Sequence, residues 1–273
     1  MKDDLLRRVP RKALLVGGDC LATRKNAQRT VERDVPPDTL EDCPFFGLSK
    51  SMNDEQRDYV NLMWNGAKTG RVIFVEGKSG SGKTTLAVLL SVIAMDYGLA
   101  NRTYYIRAMG GSAESKVGYR PGLLEKTKPY FIPVEQALLV AGISPDRKIC
   151  YGDIDEETSI DNPIYCSGQM YMRGCNLGSN DPSNRAIVII DEAQNATIDE
   201  MRLLLTRVFD NSLVVVIGHR EQIDLPNKKL SGFVPYIEHF KKRPDLSDYT
   251  QLTKSRRGQV AEWADEINAK DDV

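Results

Sequence analysis

RVIFVEGKSGSGKTTLAVLLSVIAMDYG, Arg71 to Gly98, passes from an apolar run through a glycine-rich loop into a second, longer apolar run. The first part, RVIFVEG, predicts a strand, and KTTLAVLLSVIAMDYG predicts a helix ending at Gly98. Between them GKSGSGKT, Gly77 to Thr84, fits the pattern G-x-x-x-x-G-K-[ST] in the context that gives it meaning, a strand ending at Val75 and a helix opening at Lys83. Glycines let such a loop curl until successive N–H groups face inward and hold phosphate oxygens, and the helix N-terminus adds partial positive charge. Gly77, Lys78, Ser79, Gly80, Ser81, Gly82, Lys83, Thr84 and Thr85 are therefore the expected cradle for a nucleoside triphosphate. Lys83 is placed to neutralise the β- and γ-phosphates, and the Thr84 hydroxyl to take a Mg²⁺ position.

The same alternation continues outward. A helix is expected from the Asn53 cap through DEQRDYVNLMWNG to Gly66, and strands at RTYYIRA, RAIVIIDE and SLVVVIG, with a helix at TIDEMRLLLTRVF. Strands separated by helices imply βαβ units, hence an α/β fold with a parallel sheet flanked by helices. Residues 1–50 read as an N-terminal extension with scattered charge and the turn DVPPDT, and 51–273 as one domain. Within that domain residues 110–181, rich in Gly, Pro and Tyr, read as an insertion with one helix around IPVEQALLVAG.

Two further stretches place polar residues at the carboxyl ends of buried strands, where open α/β sheets bind their ligands. AIVIIDEAQN, Ala186 to Asn195, puts Asp191 in reach of Mg²⁺ and Glu192 in reach of an attacking water. Asp-Glu at this point favours hydrolysis over transfer to an acceptor that must be protected from water. VVVIGHREQIDLP, Val214 to Pro226, ends a run of β-branched residues in a polar cluster led by His219.

Composition narrows the classes. Lys and Arg total 37 against 38 Asp and Glu, which weighs against a partner held by bulk positive charge. Five cysteines (Cys20, Cys43, Cys150, Cys166 and Cys175) form no CxxC pair, so reduced thiols in a cytoplasmic protein are expected. No run approaches the roughly 18 apolar residues of a membrane span, and none is expected to enter one.

The phosphate loop, the Asp-Glu-Ala-Gln box and a strand ending in Gly-x-x-x-Gln resemble motifs of superfamily 1 helicases. The chain is more similar to the PhoH family of RecA-like ATPases, through VGYRPGLLEKTKPYFIPVEQAL, YMRG, IIDEAQNATIDEMRLLLTR, IGHREQIDLP and LTKSRRGQV, in family order over roughly residues 52 to 262. That resemblance implies a RecA-like P-loop core using ATP and Mg²⁺, coupled to single-stranded nucleic acid, RNA before DNA. It makes Gln222 a sensor of the γ-phosphate and Gln56 a reader of the adenine edge, with an ordinary surface glutamine as the other reading of Gln56. The family usually has Asp where this chain has His219, which is either a hydrogen-bonding member of the sensor or a loop histidine without a role. Arg107, Arg173, Arg207 and Arg256 are candidates for a guanidinium on transition-state charge. Tyr119, Tyr130, Tyr165 and Tyr171, near Lys126, Lys128 and Arg173, offer either stacking faces or packing. The helicases place ATP between two cores. With one phosphate loop and too few residues after Pro226 for a second core of roughly 150 residues, a head-to-tail homo-oligomer is expected, a hexamer first. Arg256, with Arg207 as the alternative, would then reach the neighbour's γ-phosphate. The rival readings are a nucleotide-gated docking protein and a P-loop phosphotransferase.

Overall fold

The computed structural model describes residues 35–40, 52–110, 128–151, 162–168 and 176–265. Helix α1 (Asp54–Thr69) leads into β1 (Arg71–Gly77), α2 (Lys83–Asp96) and β2 (Arg102–Arg107). Next come α3 (Ile132–Val140), β3 (Ile149–Tyr151), β4 (Ile164–Gly168) and β5 (Ala186–Asp191). They are followed by α4 (Ile198–Leu205), β6 (Leu213–Gly218), α5 (Phe233–Phe240), β7 (Ser247–Leu252) and α6 (Gln259–Asp265). The seven strands form one sheet in the order β3-β4-β2-β5-β6-β1-β7, and every neighbouring pair is parallel.

Parallel crossovers put helices on both faces, so central strands are buried on both sides and read as unbroken apolar runs. All six residues of β5 and all six of β6 are buried. On one face α1, α2 and α3 pack Tyr59, Trp64, Leu89 and Leu138 against Ile73, Ile189 and Val215. On the other, α4 and α5 pack Met201, Leu204 and Phe233 against Phe74, Val188 and Val216. This is the expected α/β core, a parallel sheet flanked by helices. The strand beside β1 is β6, with β5 one place further out.

The structure departs from the sequence reading in places that have physical causes. Helix α1 continues past Gly66 to Thr69, because Gly66 is a contact glycine and not a stop. A Cβ there would lie 2.8 Å from Leu213 Cδ1, so its absence lets the helix approach the sheet, and Gly70, in the left-handed region at φ 78°, ends it. Helix α2 ends at Asp96, shortly before Gly98, and α4 ends at Leu205, after which Val208 bridges to Leu177. Three strands carried no readable signal. β3 is three residues long, β4 lies within the Gly/Pro/Tyr-rich segment that also holds α3 as expected, and β7 is the polar run SDYTQL. β7 is an edge strand paired to β1 alone, so register supplies what apolar content does not.

Residues 35–40 lie on α1: the Trp64 Nε1–H donates to the Pro37 carbonyl at 2.8 Å, and Leu40 is buried. Cys150 and Cys166 are buried free thiols on opposite faces of the sheet, and the other three cysteines lie outside the described residues. No described helix is long and apolar enough to cross a membrane.

Strand β6 stops at Gly218 because Phe233 covers it. A Cβ at Gly218 would lie 2.7 to 2.9 Å from ring atoms of Phe233, which is itself fully buried. Gly218→Ala should therefore destabilise the fold by about 1–3 kcal/mol through overpacking. Urea unfolding of the two proteins checks this, and an unchanged midpoint would show that the ring can shift freely.

Candidate active site

The carboxyl ends of β1, β2, β5 and β6 bring the predicted motifs together. The loop Gly77–Thr84 follows β1, and Gly80 and Gly82 sit at φ 79° and 90°, the left-handed region that a side chain would strain. Ser81 is fully buried, while Lys78, Ser79, Thr84 and Thr85 are half-buried. Lys83 turns back on its own loop, donating to the carbonyls of Gly77 and, at 2.8 Å, Lys78. Burial pulls its pKa below the ordinary lysine value, against the opposing pull of the Asp191 and Glu192 carboxylates. Those loop carbonyls occupy the ammonium where phosphate oxygens would.

Thr84 Oγ1 donates to Asp191 Oδ2 at 3.0 Å. The same oxygen accepts the Tyr105 hydroxyl, and Asp191 Oδ1 accepts the Glu192 N–H at 3.0 Å. Burial, and then the Asp191 carboxylate, push the Tyr105 hydroxyl well above its ordinary pKa, so it stays a donor. A hydroxyl and a carboxylate oxygen side by side are hard ligands that fit Mg²⁺, which takes one or two protein oxygens and fills its octahedron with water and phosphate oxygens.

Glu192 is the one described non-glycine residue at positive φ, 54°. Such a backbone costs of order 1–3 kcal/mol and persists only where neighbours over-determine it. Here they do. Its N–H bonds Asp191, its carbonyl accepts from Asn195 N at 2.9 Å, and its Oε2 accepts from Gln194 Nε2 at 2.7 Å. Its Oε1 faces Arg107 Nη2 at 3.5 Å. Burial would lower Arg107, but Tyr105, Asp191 and Glu192 hold its guanidinium above the ordinary value.

Gln194 was not anticipated. It is buried, and besides Glu192 it donates to the Gln222 carbonyl at 3.0 Å and accepts from His219 N at 3.1 Å. Asn195 does the same one residue on, accepting from Asp224 N at 2.7 Å. The two amides clamp the loop after β6 to the end of β5. The signal was present, two amides directly after a buried strand, since a buried amide needs partners. His219 ties that turn, its Nδ1 accepting the Glu221 N–H at 3.2 Å. Gln222 is exposed and lines a cleft of about 440 Å³ with Arg107, Tyr130, Glu192, Asp224 and Lys228.

Gln56 and Arg256 meet beside the same loop. The Gln56 amide is engaged within its own chain. It is buried, donates to the Ser81 carbonyl at 2.8 Å, and accepts from Asn53 N and from Arg256 Nη2 at 2.8 Å. Arg256 likewise lies on its own loop, its backbone N–H reaching the Gly80 carbonyl at 3.0 Å. Ser255 Oγ, bonded to the Ser79 carbonyl at 3.2 Å, completes a strap over the outer side of the loop. Arg207 lies at the far end of the sheet, just after α4, where β6 is about to begin. Tyr165 is a core residue with its ring edge-on to Tyr104, whereas Tyr130 lines the cleft. Lys128 sits over the Tyr151 ring. Tyr119, Lys126, Tyr171 and Arg173 lie outside the described residues.

Comparison with known proteins agrees with this arrangement of motifs. The family model described as PhoH-like protein matches residues 49–266. A PhoH-like protein of Bacillus subtilis is 34% identical over 187 residues, 68% of this chain and 53% of that protein. One of Mycobacterium bovis is 30% identical over 221 residues, 79% and 56% respectively. The protein PhoH of Escherichia coli is 29% identical over 189 residues, 69% and 49%. The chain thus spans about half the length of these curated relatives. With the family model covering most of its length and the motifs meeting at one edge of the sheet, the chain belongs to the PhoH-like protein family.

Proposed function

We propose that the chain hydrolyses ATP and couples hydrolysis to binding and remodelling of single-stranded nucleic acid, RNA before DNA, in the cytoplasm. The observation that carries the reading is the 3.0 Å contact between Thr84 and Asp191, with Glu192 held beside it facing the Gln222 loop. Loop N–H groups hold the phosphates, and Lys83 exchanges its carbonyl partners for β- and γ-phosphate oxygens. Thr84 and Asp191 would hold Mg²⁺, which would supply positive charge to those oxygens. Glu192 takes the proton of a water as its oxygen bonds the γ-phosphorus and the bond to the β–γ bridging oxygen breaks. Arg107, next to Glu192, is the arginine of the same chain placed to meet the charge that develops. Gln222, across the cleft, is the residue suited to register loss of the γ-phosphate.

The polynucleotide reading draws on the resemblance and on the cleft itself. Tyr130, Arg107 and Lys228 line it together with Asp224, an aromatic ring and two cations suited to a polynucleotide. The reading extends to a head-to-tail oligomer, a hexamer. Arg256 and, as the alternative, Arg207 are the arginines that would serve a neighbour's phosphate.

Multiple-turnover phosphate release, with and without poly-RNA or single-stranded DNA, tests the whole. Stimulated release is expected, and a single stoichiometric binding event without release would favour nucleotide-gated docking. Glu192→Gln should keep ATP binding and lower kcat by about 10²–10⁴. An unchanged kcat removes Glu192 from the chemistry. Lys83→Ala should weaken ATP binding by about 10- to 100-fold, the loss of hydrogen bonds between charged groups, measured by titration with a fluorescent ATP analogue. Arg207→Ala should lower kcat about 10³-fold if it acts across an interface, and mixing it with Lys83→Ala subunits should restore part of the activity. A monomer by light scattering with full activity sinks the oligomer.

A further inference from the structure

Glu76 is the last strand residue before Gly77 opens the phosphate loop, and it is only 3% exposed. Its ion-pair partner among the described residues is Arg220, whose Nε donates to Oε1 and Nη2 to Oε2. The Tyr249 hydroxyl, from the neighbouring strand β7, donates to Oε2 at 2.9 Å. Burial would raise the Glu76 carboxyl, but the bonds from Arg220 and Tyr249 outweigh it and hold the group below the usual carboxylate range. Arg220 belongs to the polar cluster after β6, between His219 and Gln222, and its side chain is half-exposed. A buried carboxylate is thus neutralised by an arginine carried on the loop that also carries Gln222.

We infer that Arg220 is a positioning residue, whose two-pronged bond to Glu76 ties the Gln222 loop to the strand that feeds the phosphate loop. This rests on the hydrolase reading proposed above. The loop after β6 is then pinned on both sides, by Gln194 to the Glu192 turn and by Arg220 to β1. Movement of Gln222 on loss of the γ-phosphate has to pull on Glu76, because leaving a buried carboxylate without its arginine is strongly unfavourable. Glu76 also adds to the carboxylate pull on Lys83, behind Asp191 and Glu192, so the pair sits within electrostatic range of the phosphate site. The planar fork of arginine matches a carboxylate at two points, which lysine cannot reproduce.

The test separates geometry from bulk stability by measuring kcat, KM for ATP and the thermal unfolding midpoint in Arg220→Gln, Arg220→Lys, Glu76→Gln and the double variant Glu76→Gln/Arg220→Gln. Arg220→Gln should lose stability and about 10- to 100-fold in kcat, the scale of a displacement near one ångström, with KM for ATP little changed. The double variant, which buries no unpaired charge, should recover its midpoint and not its kcat. Arg220→Lys should keep the midpoint near that of the wild type and still lose kcat. Recovery of kcat together with the midpoint in the double variant, or wild-type kcat in Arg220→Lys, overturns the coupling and leaves the pair a structural one. A wild-type chain that releases no phosphate overturns the hydrolase reading and this inference with it, so the two failures are distinct.

Discussion

The Asp191 carboxylate holds the site in its present form. It lies at the end of a fully buried strand and is itself 3% exposed, where a charge without hydrogen bonds is costly. Its bonds come from the first turn of α2 through Thr84, from β2 through Tyr105 and from its own chain through the Glu192 N–H. The loop-bearing strand β1 is not its neighbour, since β6 lies between them. The start of α2 must therefore lean over β6 to reach β5, and that lean places Lys83 and Thr84 above the carboxyl ends of the strands. A single satisfied carboxylate thus sets the distance between the phosphate cradle and the general-base candidate.

Around that point the polar groups form a connected set with few spare partners. Gln194 uses its amide on Glu192, Gln222 and His219, and Asn195 on Asp224, so the turn after β5 and the loop after β6 move as one piece or not at all. The left-handed Glu192 is tolerated because this set holds the turn from several directions. Networks of this kind specify one arrangement when fully satisfied, because each member would otherwise be left buried without a partner. Gly218 serves the same end by a steric route, admitting the Phe233 ring that seals the strand just before the polar cluster.

The outer side of the phosphate loop is organised by residues near the end of the described chain. Glu55 in α1 accepts the N–H and hydroxyl of Thr253, and its carboxyl lies below the usual range chiefly because of the Thr253 hydroxyl. That bond anchors the strap Thr253–Arg257, which then meets Ser79, Gly80 and Gln56. The carbonyls of Ser79, Gly80 and Ser81 are thereby engaged by Ser255, Arg256 and Gln56. At the opposite end of the sheet Arg71 pairs with Asp248 at 2.6 Å, fastening the polar edge strand β7 in register with β1.

The strand–loop–helix at Arg71–Asp96, the carboxylates at the end of β5, the polar cluster after β6, the parallel sheet and the Asn53 cap that starts α1 were all legible in the amino-acid order. Each depends on periodicity or on spacing within one turn or one strand, which is local information. Strands β3, β4 and β7 were not legible, because one is too short, one lies inside a segment without clear periodicity, and one is polar and held by pairing. The partners of the site side chains were not legible either. Gln56 meets Ser81 across 25 residues, Tyr105 meets Asp191 across 86, Arg220 meets Glu76 across 144 and Arg256 meets Gln56 across 200. Residue type announces that a buried amide, hydroxyl or carboxylate must be satisfied. Only the order of strands in the sheet and the packing of helices on it decide which distant group stands close enough to do so.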